Sequence, residues 1–372
     1  MEERGNFMKK IGRYTAALLL IGTGCLLFSD LLLNTRYLAD ALQWWPVLLI
    51  ALGLEYLLSA GSARGGNTTV RLAYGQLAAA AIISLGVIAY AGGAIVPFSS
   101  LKGQKYDKDP VLVTLDGIEA IHLENMTGGD LIVQSANVSR MSLEATVYVG
   151  WLSGTRAKQI ADSFDIEVDR DGGTLHIEAK KNSRGFWEQA LVTLTVTVPE
   201  REIGEMRLMT RNGRVRTTGL SAAGRLSVET TNGSIEAANI VGNLEAHSTN
   251  GSITVNGIHG DARLETTNGK IDIDGASGKL SARTTNGVIT AASSRVGGDW
   301  DLKTTNSAIR LKLPEQGDYT VDGSTTHAKI TSDLPLQVDG NDVSGKIGAG
   351  THKIRLSTTN GAIRIEAASV SG

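Results

Sequence analysis

Asn212, Asn232, Asn250, Asn268, Asn286 and Asn306 recur along the second half of the chain at spacings of 20, 18, 18, 18 and 20 residues. Gly213, Gly233, Gly251, Gly269 and Gly287 follow five of them, and Ser307 follows the sixth. A further copy, Thr358-Thr359-Asn360-Gly361, comes 54 residues later, with a degraded one, Thr325-Thr326-His327-Ala328, between. A fixed period of this length is the mark of a repeat architecture, in which each unit buries its apolar face only by stacking on its neighbours.

The columns of the repeat give the physics. Three residues after each Asn stand Val215, Ile235, Ile253, Ile271, Ile289, Ile309 and Ile363, and two further on stand Thr217, Ala237, Val255, Ile273, Ala291, Leu311 and Ile365. Four before it are Leu208, Val228, Ala246, Leu264, Ala282, Leu302 and Leu356; six before it are Met206, Leu226, Leu244, Ala262, Leu280, Trp300 and Ile354. Apolar residues alternating with polar ones on both sides of a turn predict two half-buried strands per unit. Asn-Gly tolerates positive φ, so it is read as the corner, and a second glycine column at Gly204, Gly224, Gly242, Gly260, Gly278 and Gly298 as the opposite corner. Stacked Asn side chains can bond along the axis as amide ladders do. Asn-Gly between alternating runs is also the strongest hairpin signal. The constant period and column identity favour the other solution, an all-β solenoid, a parallel β-helix-like stack of ~18-residue units. Residues 110–200 read as an imperfect start of it, interrupted by a helix over Thr155–Phe164.

The first third differs. Apolar stretches at about 14–33, 44–60 and 72–96 approach or exceed the ~20 residues that cross a bilayer as a helix. The expected organisation is a three-helix transmembrane region over 1–97, a polar linker over 98–108 and the β-strand-repeat domain over 109–372. A signal peptide is the alternative for the first stretch, and lipoprotein cleavage at Cys25 a second. Arg4, Lys9, Lys10 and Arg13 before the first span, with Arg64 and Arg71 between the second and third, place those segments inside. Localisation is then a bacterial cell membrane, multi-pass, with the C-terminal domain outside the cytoplasm. Asp30 and Glu55 interrupt the apolar runs near helix ends, where they can reach headgroups.

Net charge is −2, so nucleic acid is not an expected partner. A single cysteine leaves no intramolecular disulfide, and the histidines at 122, 176, 247, 259, 327 and 352 show no metal-ligand spacing. Acids on one solenoid face are the residues a glycan-cleaving site would need. The candidates are Asp272 and Asp274, which project the same way from one strand, with Glu236, Glu265 and Asp301. No acid column runs over consecutive rungs, so a solvated face is the expected reading. Neither an enzyme nor a cofactor is expected. Phe186-Trp187 is either a sugar- or membrane-contacting pair or packing under a loop.

From Val196-Thr197-Val198-Pro199 through the tandem Thr-Thr-Asn-Gly-x-Ile units, the chain resembles the adhesin-type toastrack β-strand-repeat family of bacterial envelope proteins. Leu19-Leu20-Ile21-Gly22-Thr23-Gly24 and Trp44-Trp45-Pro46-Val47-Leu48-Leu49-Ile50-Ala51-Leu52-Gly53-Leu54-Glu55 resemble the transmembrane part of Lia-type cell-wall-stress proteins. The resemblance implies a right-handed β-helix-like fold and an envelope role, and carries no catalytic residues. The expected function is a membrane-anchored scaffold or sensor in the cell envelope, with envelope stress as its setting. Its partners would be the lipid bilayer and other membrane or envelope proteins. An adhesin-like module for surface glycan or protein is the alternative, and a glycan-degrading β-helix enzyme the second.

Overall fold

The computed structural model describes residues 104–149, 155–181 and 190–368, and in the N-terminal part 9–11, 13–33, 50, 54–55 and 70–72. The chain forms two compact units, Met1–Gln104 with Gly150–Ala157, and Lys105–Val149 with Lys158–Gly372.

In the first unit, the helix Arg13–Leu33 covers the first expected span, and the short strands Lys9–Ile11 and Val70–Leu72 pair in parallel. Among the described residues no helix is long and apolar enough to cross a membrane. The expected spans at 44–60 and 72–96 fall almost wholly outside the described residues, as do Phe186-Trp187.

The second unit is a stack of parallel strands. After the Asn, Leu131, Val215, Ile235, Ile253, Ile271, Ile289, Ile309 and Ile363 pair in that order, each with the same column of the next unit. Before the Asn, Ile121, Met206, Leu226, Leu244, Ala262, Leu280, Trp300 and Ile354 do the same. This register decides between the two architectures the sequence leaves open. In a hairpin each strand would pair antiparallel across its own turn; here it pairs parallel with its copy 18 or 20 residues away, as a solenoid requires. The two long sheets, pre-turn and post-turn, enclose the core: Ile235, Ile253, Val255, Leu264, Ile271, Ala282 and Ile289 have no exposed surface. Adjacent strands lie ~4.8 Å apart, so each unit is one rung of that height.

Both ends depart from chain order. The first complete rung, Ala120–Asn125 with Leu131–Ala136, lies inside a rung made by the later strands Thr174–Lys181 and Ala190–Pro199. At the other end the last rung, His352–Thr358 with Ile363–Ala368, lies between Trp300–Pro314 and the earlier segment Tyr319–Ser332. The degraded Thr325–Ala328 copy is therefore outermost, and Asn360 stacks directly on Asn306, which accounts for the 54-residue gap. Antiparallel strands finish the ends: Phe164–Asp171 on 174–181, Met141–Val149 on 190–199, and Asp342–Ile347 on 319–325. Glu366–Ala368 continue the strand of the last rung against Lys312–Pro314. Asp165, Glu167, Asp169 and Asp171 line the edge strand, where charge discourages further pairing. The helix Thr155–Asp162 ends two residues earlier than expected, and Phe164 opens the edge strand as a buried side chain. The strand Gln104–Asp107 occupies part of the segment read as linker.

Positive φ, the expected reason for glycine at the Asn-Gly corner, is not what the corner uses. None of Gly213, Gly233, Gly251, Gly269, Gly287 and Gly361 has positive φ, nor do the ladder asparagines. These glycines are required by proximity: a Cβ on any of them would lie 1.6–1.9 Å from a carbonyl oxygen of the adjacent rung. Left-handed residues recur instead at a further corner seven positions after the Asn, at Gly219 (φ 68), Asn239 (φ 54), Gly257 (φ 74) and Gly275 (φ 75), while in the second glycine column Gly242 (φ 111) is left-handed. The further corner turns the chain into a short third side that buries Leu220, Ile240, Ile258 and Ala276. Each middle rung therefore has three corners rather than two.

Candidate functional site

The Thr-Thr-Asn-Gly corner is assembled from two hydrogen-bond systems, one buried and one exposed. The buried one uses the first Thr of the motif. Thr266 Oγ1 donates to the Gly251 carbonyl (3.0 Å) and accepts from its own rung's Gly269 N–H (3.3 Å). Ser248, Thr284 and Thr358 make the same pair of bonds. A close-packed turn thus keeps its backbone groups satisfied without water, as burial demands. In the 120–136 rung Asn125 takes this position, fully buried, its Nδ2 donating to the carbonyls of Gly129 (3.0 Å), Asp130 (3.2 Å) and Val192 (2.7 Å).

The exposed system is the asparagine ladder. Asn232 Nδ2 donates to Asn212 Oδ1 (2.6 Å), Asn250 to Asn232 (2.6 Å), Asn268 to Asn250 (2.7 Å), and Asn286 to Asn268 (2.7 Å). Asn306 then donates to Asn286 (2.7 Å) and Asn360 to Asn306 (2.9 Å). Every amide points the same way along the axis. His327 takes the Asn position of the outermost rung, its backbone N–H donating to the Thr359 carbonyl (3.0 Å) like the Asn N–H groups before it.

The five candidate carboxylates are divided between the sheets. Glu236, Asp272 and Asp274 belong to the post-turn sheet, Glu265 and Asp301 to the pre-turn sheet. Glu236 is held by Arg216 (2.9 Å) and Arg214 (3.5 Å), and Asp272 by Lys270 (2.6 Å). Asp272 stacks between Thr254 and Thr290, and Asp274 between Asn256 and Ala292. On the pre-turn sheet the charges alternate from rung to rung. Arg225 bridges Glu205 (3.6 Å) and Glu245 (3.1 Å); Arg263 bridges Glu245 (3.9 Å) and Glu265 (2.8 Å); Arg283 bridges Glu265 (3.8 Å) and Asp301. Three of these contacts lie within one column (Glu205–Arg225, Glu245–Arg263 and Glu265–Arg283) and three step to a neighbouring column, so reading single columns misses the zigzag as a whole. Two open depressions of ≈ 480 and ≈ 390 Å³ lie over it, where Ser281 and Ser227 stand short among long charged side chains. The first is lined by four cations and four carboxylates and the second by three and four, so neither strongly selects a ligand of one sign.

His122 and His176 occupy paired positions on adjacent strands, ring centroids 4.9 Å apart and nearly perpendicular. Burial, and then the neighbouring imidazole, pushes His122 below the usual histidine range. Among the described residues no group of three or more His, Cys, Asp or Glu side chains could hold a metal ion. Glu55, one of the two acids in the apolar region, is buried rather than near a surface. Its Oε2 accepts from the N–H (2.9 Å) and hydroxyl (2.6 Å) of Thr15, in the first turn of the helix Arg13–Leu33, where a carboxylate satisfies an end-of-helix donor.

The sequence profile of the Toastrack DUF4097 family matches residues 121–366, two thirds of the chain. Among solved structures, a putative cell adhesion protein from Clostridium sporogenes is 11% identical with a TM-score of 0.26; the match covers 71% of this chain and 100% of that one. A putative adhesin from Bacteroides fragilis is 15% identical with a TM-score of 0.42, over 70% of this chain and 97% of that one. No curated protein matches. With the repeat, the corner and the parallel register all lying within the matched span, the chain belongs to the Toastrack DUF4097 family.

Proposed function

We propose that the chain is a membrane-anchored, extracytoplasmic scaffold or sensor of the bacterial cell envelope, and not an enzyme. The observation that carries the reading is the state of the solenoid's charged faces. Four of the five candidate carboxylates are engaged by Arg or Lys, and the alternating pairs run over consecutive rungs. A general acid or base needs a shifted pKa and a free approach to substrate; carboxylates tied into half-exposed ion pairs are suited to a soluble, rigid surface. Membrane attachment is supported by the three apolar stretches and by the Lys/Arg bias around them. An adhesin-like role in binding a surface glycan is the second reading, favoured by the uncharged exposed ladder at the corner.

Proximity crosslinking of the full-length protein in its membrane, with and without wall-damaging agents, tests this proposal. A set of captured envelope proteins that changes on damage is the expected result. A constant, partnerless pattern removes the sensor reading. Glycan cleavage by the purified protein that disappears in an Asp272→Ala, Asp274→Ala variant would make it an enzyme.

A further inference from the structure

One repeated side chain makes no hydrogen bond among the described residues. The second Thr of the motif, at Thr231, Thr249, Thr267, Thr285, Thr305 and Thr359, stands exposed or half-exposed beside the Asn ladder. Its carbonyl serves the stack: the Thr249 oxygen, for example, accepts from Asn268 N–H (3.0 Å). Its hydroxyl has no partner among the described residues, unlike the first Thr, whose hydroxyl closes the buried corner. Each ladder amide also spends only one of its two N–H groups and one lone pair on its neighbours. Every rung therefore offers the same set outward: a hydroxyl, an amide N–H and an amide oxygen, repeated each ~4.8 Å. The flanking post-turn column is mostly short and uncharged (Ser234, Ser252, Val288, Ala308, Ala362), and its one central cation, Lys270, is tied to Asp272. The sheet faces behave differently, since their charges change from rung to rung and satisfy one another.

We propose that this Thr-Asn ridge is a docking track for an extended, uncharged, N-acetylated glycan strand lying along the solenoid axis. A surface that repeats one neutral hydrogen-bonding set is useful only to a ligand that repeats as well. An extended peptide does not fit the spacing. Its like-facing groups recur every ~6.7 Å, so it loses register with ~4.8 Å rungs within a step or two. A β-1,4-linked pyranose chain advances about one rung per ring and turns over at each linkage, so its like-facing acetamido N–H and C=O groups recur about every second rung, in register with the spare amide groups there. Each contact is weak and water-competed, so affinity depends on how many rungs are engaged at once. The inference gives a site and a ligand class to the glycan-binding reading above.

The test is calorimetric titration of the detergent-solubilised full chain with N-acetylglucosamine oligomers of one, two, four and six rings. The expected result is no measurable heat with one ring and an affinity rising about tenfold or more between two and six rings. A Thr249→Val, Thr267→Val, Thr285→Val variant keeps side-chain shape at exposed positions and is expected to lose about tenfold in six-ring affinity. The corresponding Thr→Ser variant keeps its hydroxyls and is expected to bind as the parent does. No binding at any length, affinity independent of length, equal binding by the valine variant when its melting is unchanged, or equal binding of a length-matched polar peptide would each overturn the proposal. Loss of ridge binding with partner capture intact would leave the scaffold reading standing.

Discussion

Replacing Gly251 by alanine puts the corner mechanism to a quantitative trial. The new Cβ would lie 1.6 Å from the Gly233 carbonyl oxygen and 2.3 Å from its carbon, where ordinary contact begins at 3.4 Å. Both atoms are backbone of the adjacent rung, so no side-chain rotation relieves the collision. The rungs must separate locally by more than a third of their ~4.8 Å spacing. Four bonds across the gap then fail: Thr249 N–H and Asn250 N–H to the Thr231 carbonyl, Ser248 Oγ to the Gly233 carbonyl, and Asn250 Nδ2 to Asn232 Oδ1. At ~1 kcal/mol each the loss is about 4 kcal/mol, large for a point substitution. Gly219→Ala is the control. Gly219 has φ 68, and its added Cβ would meet only Ser135 Cβ at 3.8 Å, so the cost is the left-handed penalty of ~1–2 kcal/mol. Gly219→Asn should be milder still, because Asn239 already occupies that column with φ 54. Urea unfolding of the full chain followed by circular dichroism measures all three. If Gly251→Ala costs no more than Gly219→Ala, the close-approach account of the Asn-Gly corner is wrong.

Thr266→Val leaves the Gly251 carbonyl and the Gly269 N–H without their buried partner, and should lower stability by ~1–3 kcal/mol in the same assay. Thr266→Ser should cost less, as Ser248 holds the equivalent place. Arg263→Ala removes contacts to Glu245 and Glu265, but the side chain is 55% exposed, and the expected loss is under ~1 kcal/mol. Deleting residues 352–372 removes a rung from between two others rather than trimming a tail; broadened, two-step unfolding is expected, and a parent-like single transition would contradict the rung order. His122 holds its proton less tightly folded than unfolded, so its contribution to stability is full above the ordinary imidazole range and is lost as pH falls through it. His122→Asn should flatten that part of a stability–pH curve, and an unchanged slope would remove His122 as its source.

Much of the solenoid is legible in the chain because its physics is local and repeated. The columns that hold Ile253, Val255, Leu264 and Leu244 alternate with period two and carry through to the buried core. Pairing between copies follows from the period, though only the register of Ile253 with Ile271 separates it from a hairpin. The Asn-Gly corner was legible as a corner but not in its cause. Composition marks a glycine without saying whether φ or a neighbouring carbonyl requires it. The left-handed corner at Gly219, Asn239, Gly257 and Gly275 was present as a column seven after the Asn, but mixed identity and a single-residue signal hid it. The ends were the least legible. Stacking the 352–368 rung inside Tyr319–Ser332 depends on a choice between two copies of similar pattern, which no local window contains. The zigzag of Arg225, Arg263 and Arg283 was only half visible column by column, because each arginine has one partner directly opposite and another in a neighbouring column.

The central claim is that the ladder marks parallel rungs stacked copy on copy, with the last rung tucked beneath an earlier one. Spin labels test it directly, with Cys25, the sole cysteine, replaced. One label at Thr231 is paired with a second at Thr359 or at Thr326. Counting rungs, Thr359 lies five steps from Thr231 and Thr326 six, giving backbone separations of ~24 Å and ~29 Å. The account predicts that the residue earlier in sequence is the farther of the two. Thr359 farther than Thr326, or distances that do not grow by one rung per unit across Thr249, Thr267 and Thr285, would contradict it.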